Sequence, residues 1–166
     1  MALKKKPVTA EEAKLKMASL CSRSEQCEAD VSNKLYKLGL SSGERTEIIN
    51  YLKEERFIDN SRFAKAFARD KARFSYWGPK KIKAALALKK ISSSEINEAL
   101  SEVDEEDWTN ALMKSAISKS RNLDLCGEEG YENRRKLFTF LIGRGFTGEQ
   151  ANRGVRIMKE KQKDEE

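Results

Sequence analysis

Arg62, Lys65, Arg69 and Arg73 recur at spacings of three and four residues, so a helix through them presents four cations on one face. Phe63, Phe67 and Phe74 fall on another face and are expected to bury that helix against its own core. Like charges stacked at these spacings repel one another, which argues that the ridge meets an anionic counterpart. Lys80, Lys83 and Lys90 share a face of the next helix, with Lys81 to one side. Arg134, Arg135, Lys136 and Arg144 add a further cluster. The chemistry open to such groups is binding: arginine's fork grips phosphate or carboxylate through two bonds, whereas lysine acts as a hydrated point charge. Tyr76 and Trp77, beside the ridge, offer ring faces on which a base can stack, although packing between modules is their commoner use.

Catalysis finds no foothold. The chain has no histidine, which removes Ser-His and Cys-His nucleophile pairs and imidazole zinc sites. Cys21, Cys27 and Cys126 form no CxxC pair, and no GxxxxGK[ST] phosphate loop occurs. No enzyme, cofactor or metal is therefore expected. The first seven residues, Met1 to Pro7, lack the apolar run of a signal peptide, and no stretch of 18 apolar residues occurs. A soluble, reduced, cytoplasmic protein without a membrane partner is the expectation.

The formal net charge of +6 is unevenly distributed. Residues 60–91 hold ten Lys and Arg against the single acid Asp70, residues 92–130 hold ten acids against three bases, and residues 131–163 hold nine bases against three acids. Charge placed for solubility alone mixes its signs. Two basic blocks around an acidic one point instead to a surface that meets a polyanion or an acidic partner at more than one place.

What must position these cations is a set of helices. Charged residues make up 36% of the chain, with only two prolines and nine glycines, too few turn residues for a β-sandwich or a parallel α/β fold. Leu, Ile, Val and Phe number 35 of 166, which favours several thin cores over one deep one. Three segments then repeat one pattern: Leu40-Ser41-Ser42-Gly43-Glu44, Ile91-Ser92-Ser93-Ser94-Glu95 and Phe146-Thr147-Gly148-Glu149-Gln150. Each is an apolar staple residue, a hydroxyl N-cap and a Glu or Gln three positions later, the signature of a capping box that starts a helix. Five and nine residues before each staple stand Leu35 and Val31, Leu86 and Ile82, and Leu141 and Leu137. Gly39 and Gly145 precede two staples and suit the left-handed turn that ends a helix; Lys90 occupies that place in the second copy. An earlier helix opens each copy: Ala10 to Cys21, Asn60 to about Phe74, and one starting near Asp107-Trp108. Pro79 fits the first position of a middle helix.

The resulting fold class is all-α, a tandem array of three three-helix repeats. The expected division is a basic N-terminal tail at 1–9, repeats at 10–57, 58–104 and 105–160, and a charged tail at 161–166. Residues 122–132, with Gly127 and Gly130, read as a mobile loop inserted in the third repeat.

At this point the residues match a known pattern. Phe57-Ile58-Asp59-Asn60-Ser61-Arg62-Phe63-Ala64, followed by Gly78-Pro79-Lys80-Lys81-Ile82, resembles the RecX family of regulatory proteins, modulators of the RecA recombinase. Leu20-Cys21-Ser22-Arg23-Ser24-Glu25, Asp107-Trp108 and Arg134-Arg135-Lys136-Leu137 extend the resemblance over about residues 15–158. It implies an elongated, curved chain of helical repeats seated in the groove of the RecA–DNA filament; with no evident dimer seam in the sequence, a monomer is expected. It also implies restraint of strand exchange, ATP hydrolysis and co-protease activity, and for some members direct binding of single- or double-stranded DNA. Arg62, Lys80 and Lys81 are the basic positions that lie within these motifs. A stand-alone DNA-binding helical module is the alternative reading.

Overall fold

The computed structural model describes residues 6–165, and among them the regular structure is entirely helical. Residues 1–5 of the expected N-terminal tail and Glu166 lie outside the described residues. The helices are α1 (Ala10–Arg23), α2 (Glu28–Lys37), α3 (Ser42–Glu54), α4 (Asn60–Ser75), α5 (Pro79–Leu88), α6 (Ser93–Ser101), α7 (Glu105–Ser120), α8 (Gly130–Gly143) and α9 (Gly148–Glu165). They form a helical repeat: α1 and α2 pack on α3, α4 and α5 on α6, and α7 and α8 on α9.

Local chemistry explains where the third helix of each repeat begins. Ser41 accepts the Glu44 N–H at 3.2 Å while the Glu44 carboxylate accepts the Ser41 N–H at 2.8 Å. Ser92 and Glu95 repeat this exchange at 3.2 Å both ways, and Thr147 and Gln150 do so at 3.2 and 2.9 Å. The staple residues Leu40, Ile91 and Phe146 are all buried beneath their boxes. A fourth box, Thr9 with Glu12, starts α1 and had not been singled out in the sequence. Gly39, Lys90 and Gly145 all adopt positive φ just before the staples, at 83°, 59° and 93°. Lysine at this position accepts a left-handed backbone that glycine adopts without steric cost.

Three apolar cores follow. The first gathers Ala13, Met17, Val31, Leu35 and Leu52. A second joins Phe63, Ala68, Ile82, Leu86 and Ile96 with Cys27 from the first repeat and Trp108 from the third. The third surrounds Phe146 with Leu112, Leu125, Leu137 and Leu141. Trp108 and Cys27 thus carry each neighbour's side chains into the middle core.

Three expectations need correction. Phe74 does not join the apolar stripe of α4: its side chain is 76% exposed, and Ala64, Ala68 and Ala72 line the buried face beside Phe63. Helix α5 ends at Leu88, so Lys90 does not share its face with Lys80 and Lys83 but stands beyond it, at a φ of 59°. The inserted loop spans 121–129, is shorter than expected, and is tied down. Leu125 is fully buried and donates its N–H to Gln162 Oε1 at 2.8 Å, and Gln162 Nε2 donates to Leu123 O at 2.7 Å. Asn133 Nδ2 donates to Asp124 O at 2.8 Å, and Arg134 to Leu125 O at 2.6 Å.

Candidate binding surface

The cation ridge of α4 faces carboxylates of its own chain. Arg62 Nε meets Glu25 Oε1 at 2.6 Å, and its Nη2 donates to Arg56 O at 3.0 Å. Lys65 sits between Glu98 of α6 and Glu102 at its C-cap, at 2.8 and 2.9 Å. Those two hydrogen bonds, Glu98 first, hold its ammonium well above the ordinary lysine pKa. Arg73 reaches α7, with Asp107 at 2.8 Å and Asp104 at 3.8 Å. Arg69 has only its neighbour Asp70, at 3.6 Å. The expected want of a counter-charge is therefore met internally, by acids from the linker after α1, from α6 and from the start of α7. Local spacing carries no sign of these pairs, which span as many as 37 residues.

Arg144 and Lys81 are also structural. The Arg144 guanidinium donates to Ser75 O and, at 3.4 Å, to Tyr76 O, satisfying carbonyls left open where α4 ends. Lys81 lies over the Trp77 ring at 4.5 Å, and Lys71, from α4, lies over the same ring at 4.7 Å. Trp77 packs against the middle core and Tyr76 against the third, so both aromatics serve packing between repeats. Arg134 anchors the 121–129 loop through Leu125 O.

What remains turned to solvent is a different set. Lys80, Lys83 and Lys90 are exposed and enter no ion pair among the described residues. On α8, Arg135 holds only Glu132, at 3.8 Å, and Lys136 contacts Asn133 Oδ1 at 3.4 Å. Arg153 and Arg156 on α9 are exposed as well. Between α8 and α9 a groove of about 310 Å³ is lined by Tyr131, Arg134, Arg135, Phe138, Asn152 and Val155. Its Tyr131 ring is 69% exposed. The surface thus offers solvated cations and one open aromatic ring, a set suited to binding anions.

Comparison with known proteins decides the family. A family model described as RecX, second three-helix domain, matches residues 59–100, which are α4 to α6 with the caps before and between them. The Regulatory protein RecX of Clostridium botulinum (strain Eklund 17B / Type B) is 31% identical over 124 residues, 75% of this chain and 58% of that protein. Its counterpart from Clostridium perfringens (strain 13 / Type A) is 30% identical over 129 residues, 78% of this chain and 60% of that one. The chain belongs to the RecX family. It spans about three fifths of the length of these relatives. Two solved structures share its fold. RecX from Lactobacillus salivarius superposes with a TM-score of 0.74 at 20% identity, covering 89% of this chain and 94% of that one. A second regulatory protein RecX gives 0.76 at 22%, covering 86% and 71%. No helix among the described residues is long and apolar enough to cross a membrane.

Proposed function

We propose that the chain is a non-enzymatic cytoplasmic regulator that binds the RecA–DNA filament and restrains strand exchange, ATP hydrolysis and co-protease activity. Through these it modulates recombination, DNA repair and the SOS response. The observation that carries the reading is the match to relatives named Regulatory protein RecX over three quarters of the chain. Repetition supplies a physical basis: a filament repeats its subunits, and a monomeric strip of repeated modules can touch several of them. Linked weak contacts gain ~10²–10⁴-fold in overall affinity through effective concentration. The contact groups are the unpaired cations Lys80 and Lys83 of α5 and Lys90 just beyond it, with Arg135 and Lys136 of α8. Arg62, Lys65, Arg73, Lys81, Arg134 and Arg144 act instead by holding the repeats and the third-repeat loop in place.

The test is ATP hydrolysis by recombinase filaments on circular single-stranded DNA, titrated with the purified chain. Inhibition at fewer than one chain per recombinase subunit is expected. Lys80→Glu with Lys83→Glu should raise the half-inhibiting concentration by about tenfold, since reversing charges on a contact face costs affinity and association rate. A native chain that leaves hydrolysis unchanged at several-fold excess overturns the proposal.

A second reading, direct binding of single- or double-stranded DNA, is favoured by the exposed Tyr131 ring beside Arg134 and Arg135. Aromatic stacking combined with cations is how proteins hold single strands without reading sequence. It requires tight binding to an oligonucleotide without recombinase, weakening steeply with salt. Co-sedimentation with filaments and with naked single-stranded DNA across ionic strengths separates the two.

A further inference from the structure

The first repeat carries a groove that the function above does not use. It lies between α1 and α2, holds about 340 Å³, and is lined by Lys16, Met17, Leu20, Arg23, Lys34, Lys37 and Leu38. Its floor is Met17, Leu20 and Leu38. Four cations rim it and no acid does, although the first 59 residues as a whole are nearly balanced in charge. None of the four enters an ion pair among the described residues; Arg23 Nε donates only to Ser19 O, at 3.4 Å. The cations of α4 are different, since most of them are paired by the chain's own acids.

Helix dipoles account for part of this arrangement. Arg23 stands in the last turn of α1, and Lys34 and Lys37 in that of α2, where positive charge is favoured. They account neither for Lys16, in mid-helix, nor for apolar side chains left open between the rims. Lysine stems lie along apolar surface with their charges in water, so the rim adds to the floor's area while ringing it with charge. The volume is at the low end of the ~300–1,000 Å³ range of ligand clefts, enough for one or two apolar side chains but not for a broad surface. Its walls contain no aromatic ring on which a base could stack, unlike the Tyr131 groove.

We propose that the α1–α2 groove of the first repeat is a docking site for an acidic, leucine-bearing peptide segment of a partner protein. One or two apolar side chains of that segment seat on Met17, Leu20 and Leu38, and its carboxylates meet Lys16, Arg23, Lys34 and Lys37. The mode is helix-in-groove recognition, with methionine in the floor adapting to the inserted side chain. The site rests on α1 and α2 alone and is independent of the filament-binding reading.

The experiment is fluorescence anisotropy of the full chain with a labelled 12-residue helical peptide of leucine and glutamate, leucines on one face. Two variants of the probe are run beside it, one with glutamine for each leucine and one with glutamine for each glutamate. Binding of the parent peptide is expected, weakened at least ~10-fold in either variant, because apolar anchor and charge are both required. The exposed pair Lys34→Glu with Lys37→Glu should weaken binding by a similar factor at unchanged helicity and thermal midpoint. Lys80→Glu with Lys83→Glu, on α5, should leave it unchanged. Equal binding of the leucine-free probe overturns the proposal, because charge alone then suffices. So does a dT oligonucleotide that displaces the peptide and is itself lost with Lys34→Glu and Lys37→Glu. Retained peptide affinity in that charge reversal overturns it as well.

Discussion

The two joints between repeats are built on different principles. The joint from the first repeat to the second is made mostly by side-chain polar ties. These are Glu25 with Arg62 at 2.6 Å, Asp30 with Lys89 at 2.7 Å, and the Glu28 N–H donating to Asn60 Oδ1 at 3.0 Å. Cys27 and Ala29 supply its apolar part. The joint from the second repeat to the third is a backbone seam. Gly78 N–H donates to Arg144 O at 2.8 Å, Lys80 N–H donates to Gly145 O at 2.9 Å, and helix α7 packs along α4. Side-chain ion pairs half open to water are worth ~0–1 kcal/mol each and weaken with salt. Backbone bonds packed under side chains are insensitive to salt and demanding in shape. The second and third repeats should therefore behave as one unit, with the first attached through a softer, salt-sensitive contact.

The largest effect is expected where the seam admits no side chain. A Cβ on Gly78 would fall on the Gly145–Phe146 peptide, and one on Gly145 would fall on the backbone of Lys81. Gly78 has an ordinary φ of −80°, so Gly78→Ala tests close approach alone, without backbone strain. It should cost at least ~3 kcal/mol in thermal unfolding, at the upper end for point changes. Gly143→Ala, where the added Cβ meets nothing within 4 Å, should be neutral or stabilising by up to ~1 kcal/mol. Comparable destabilisation by the two would mean the seam is not closely packed in solution.

Arg144→Met comes next. It keeps the apolar stem but strips the donors that satisfy Ser75 O and Tyr76 O at the end of α4. Charged hydrogen bonds of this kind contribute ~1.5–3 kcal/mol, so a loss of about 2 kcal/mol that 0.5 M salt does not remove is expected. At the other joint, Arg62→Ala should cost about 1 kcal/mol, through Glu25 and Arg56 O, and much of that should vanish in the same salt. Denaturant midpoints of both variants at low and high salt decide the matter. Equal salt sensitivity would erase the distinction between a seam and a tether.

These joints also show how far the sequence could be read. The capping boxes at Ser41, Ser92 and Thr147, the staples beneath them and the three left-handed positions are local devices, legible because cause and effect lie within five residues. Ridge pairing was not legible. Whether Arg73 meets solvent or Asp107 depends on how α7 lies across α4, and periodicity carries no information on that. The same limit hid the Gly78–Gly145 contact, although each glycine is plain in the string. It also misjudged Phe74, whose spacing places it on the aromatic face but whose position at the end of α4 runs past the core. Of the candidate cations, sequence identified the residues and structure separated those that hold the chain together from Arg69, Lys80, Lys83, Lys90, Arg135 and Lys136, which face water.

The smallest expected effect separates the third repeat's own loop from the seam beside it. Asp124 accepts the Cys126 and Gly127 N–H groups at 2.9 and 2.8 Å, and these bonds, Gly127's first, hold its carboxyl below the usual range. A carboxyl with a depressed folded pKa stabilises the fold fully above the unfolded value of about 3.9 and loses that contribution as pH falls through the folded value. The Cys126 and Gly127 amide proton shifts should therefore titrate together below the ordinary carboxylate range, and Asp124→Asn should abolish the titration. The Gly78 and Lys80 amides, held by backbone carbonyls across the seam, should not move over the same pH span. Should they follow Asp124, loop and seam open as one cooperative piece, and the third repeat has no independent local unfolding.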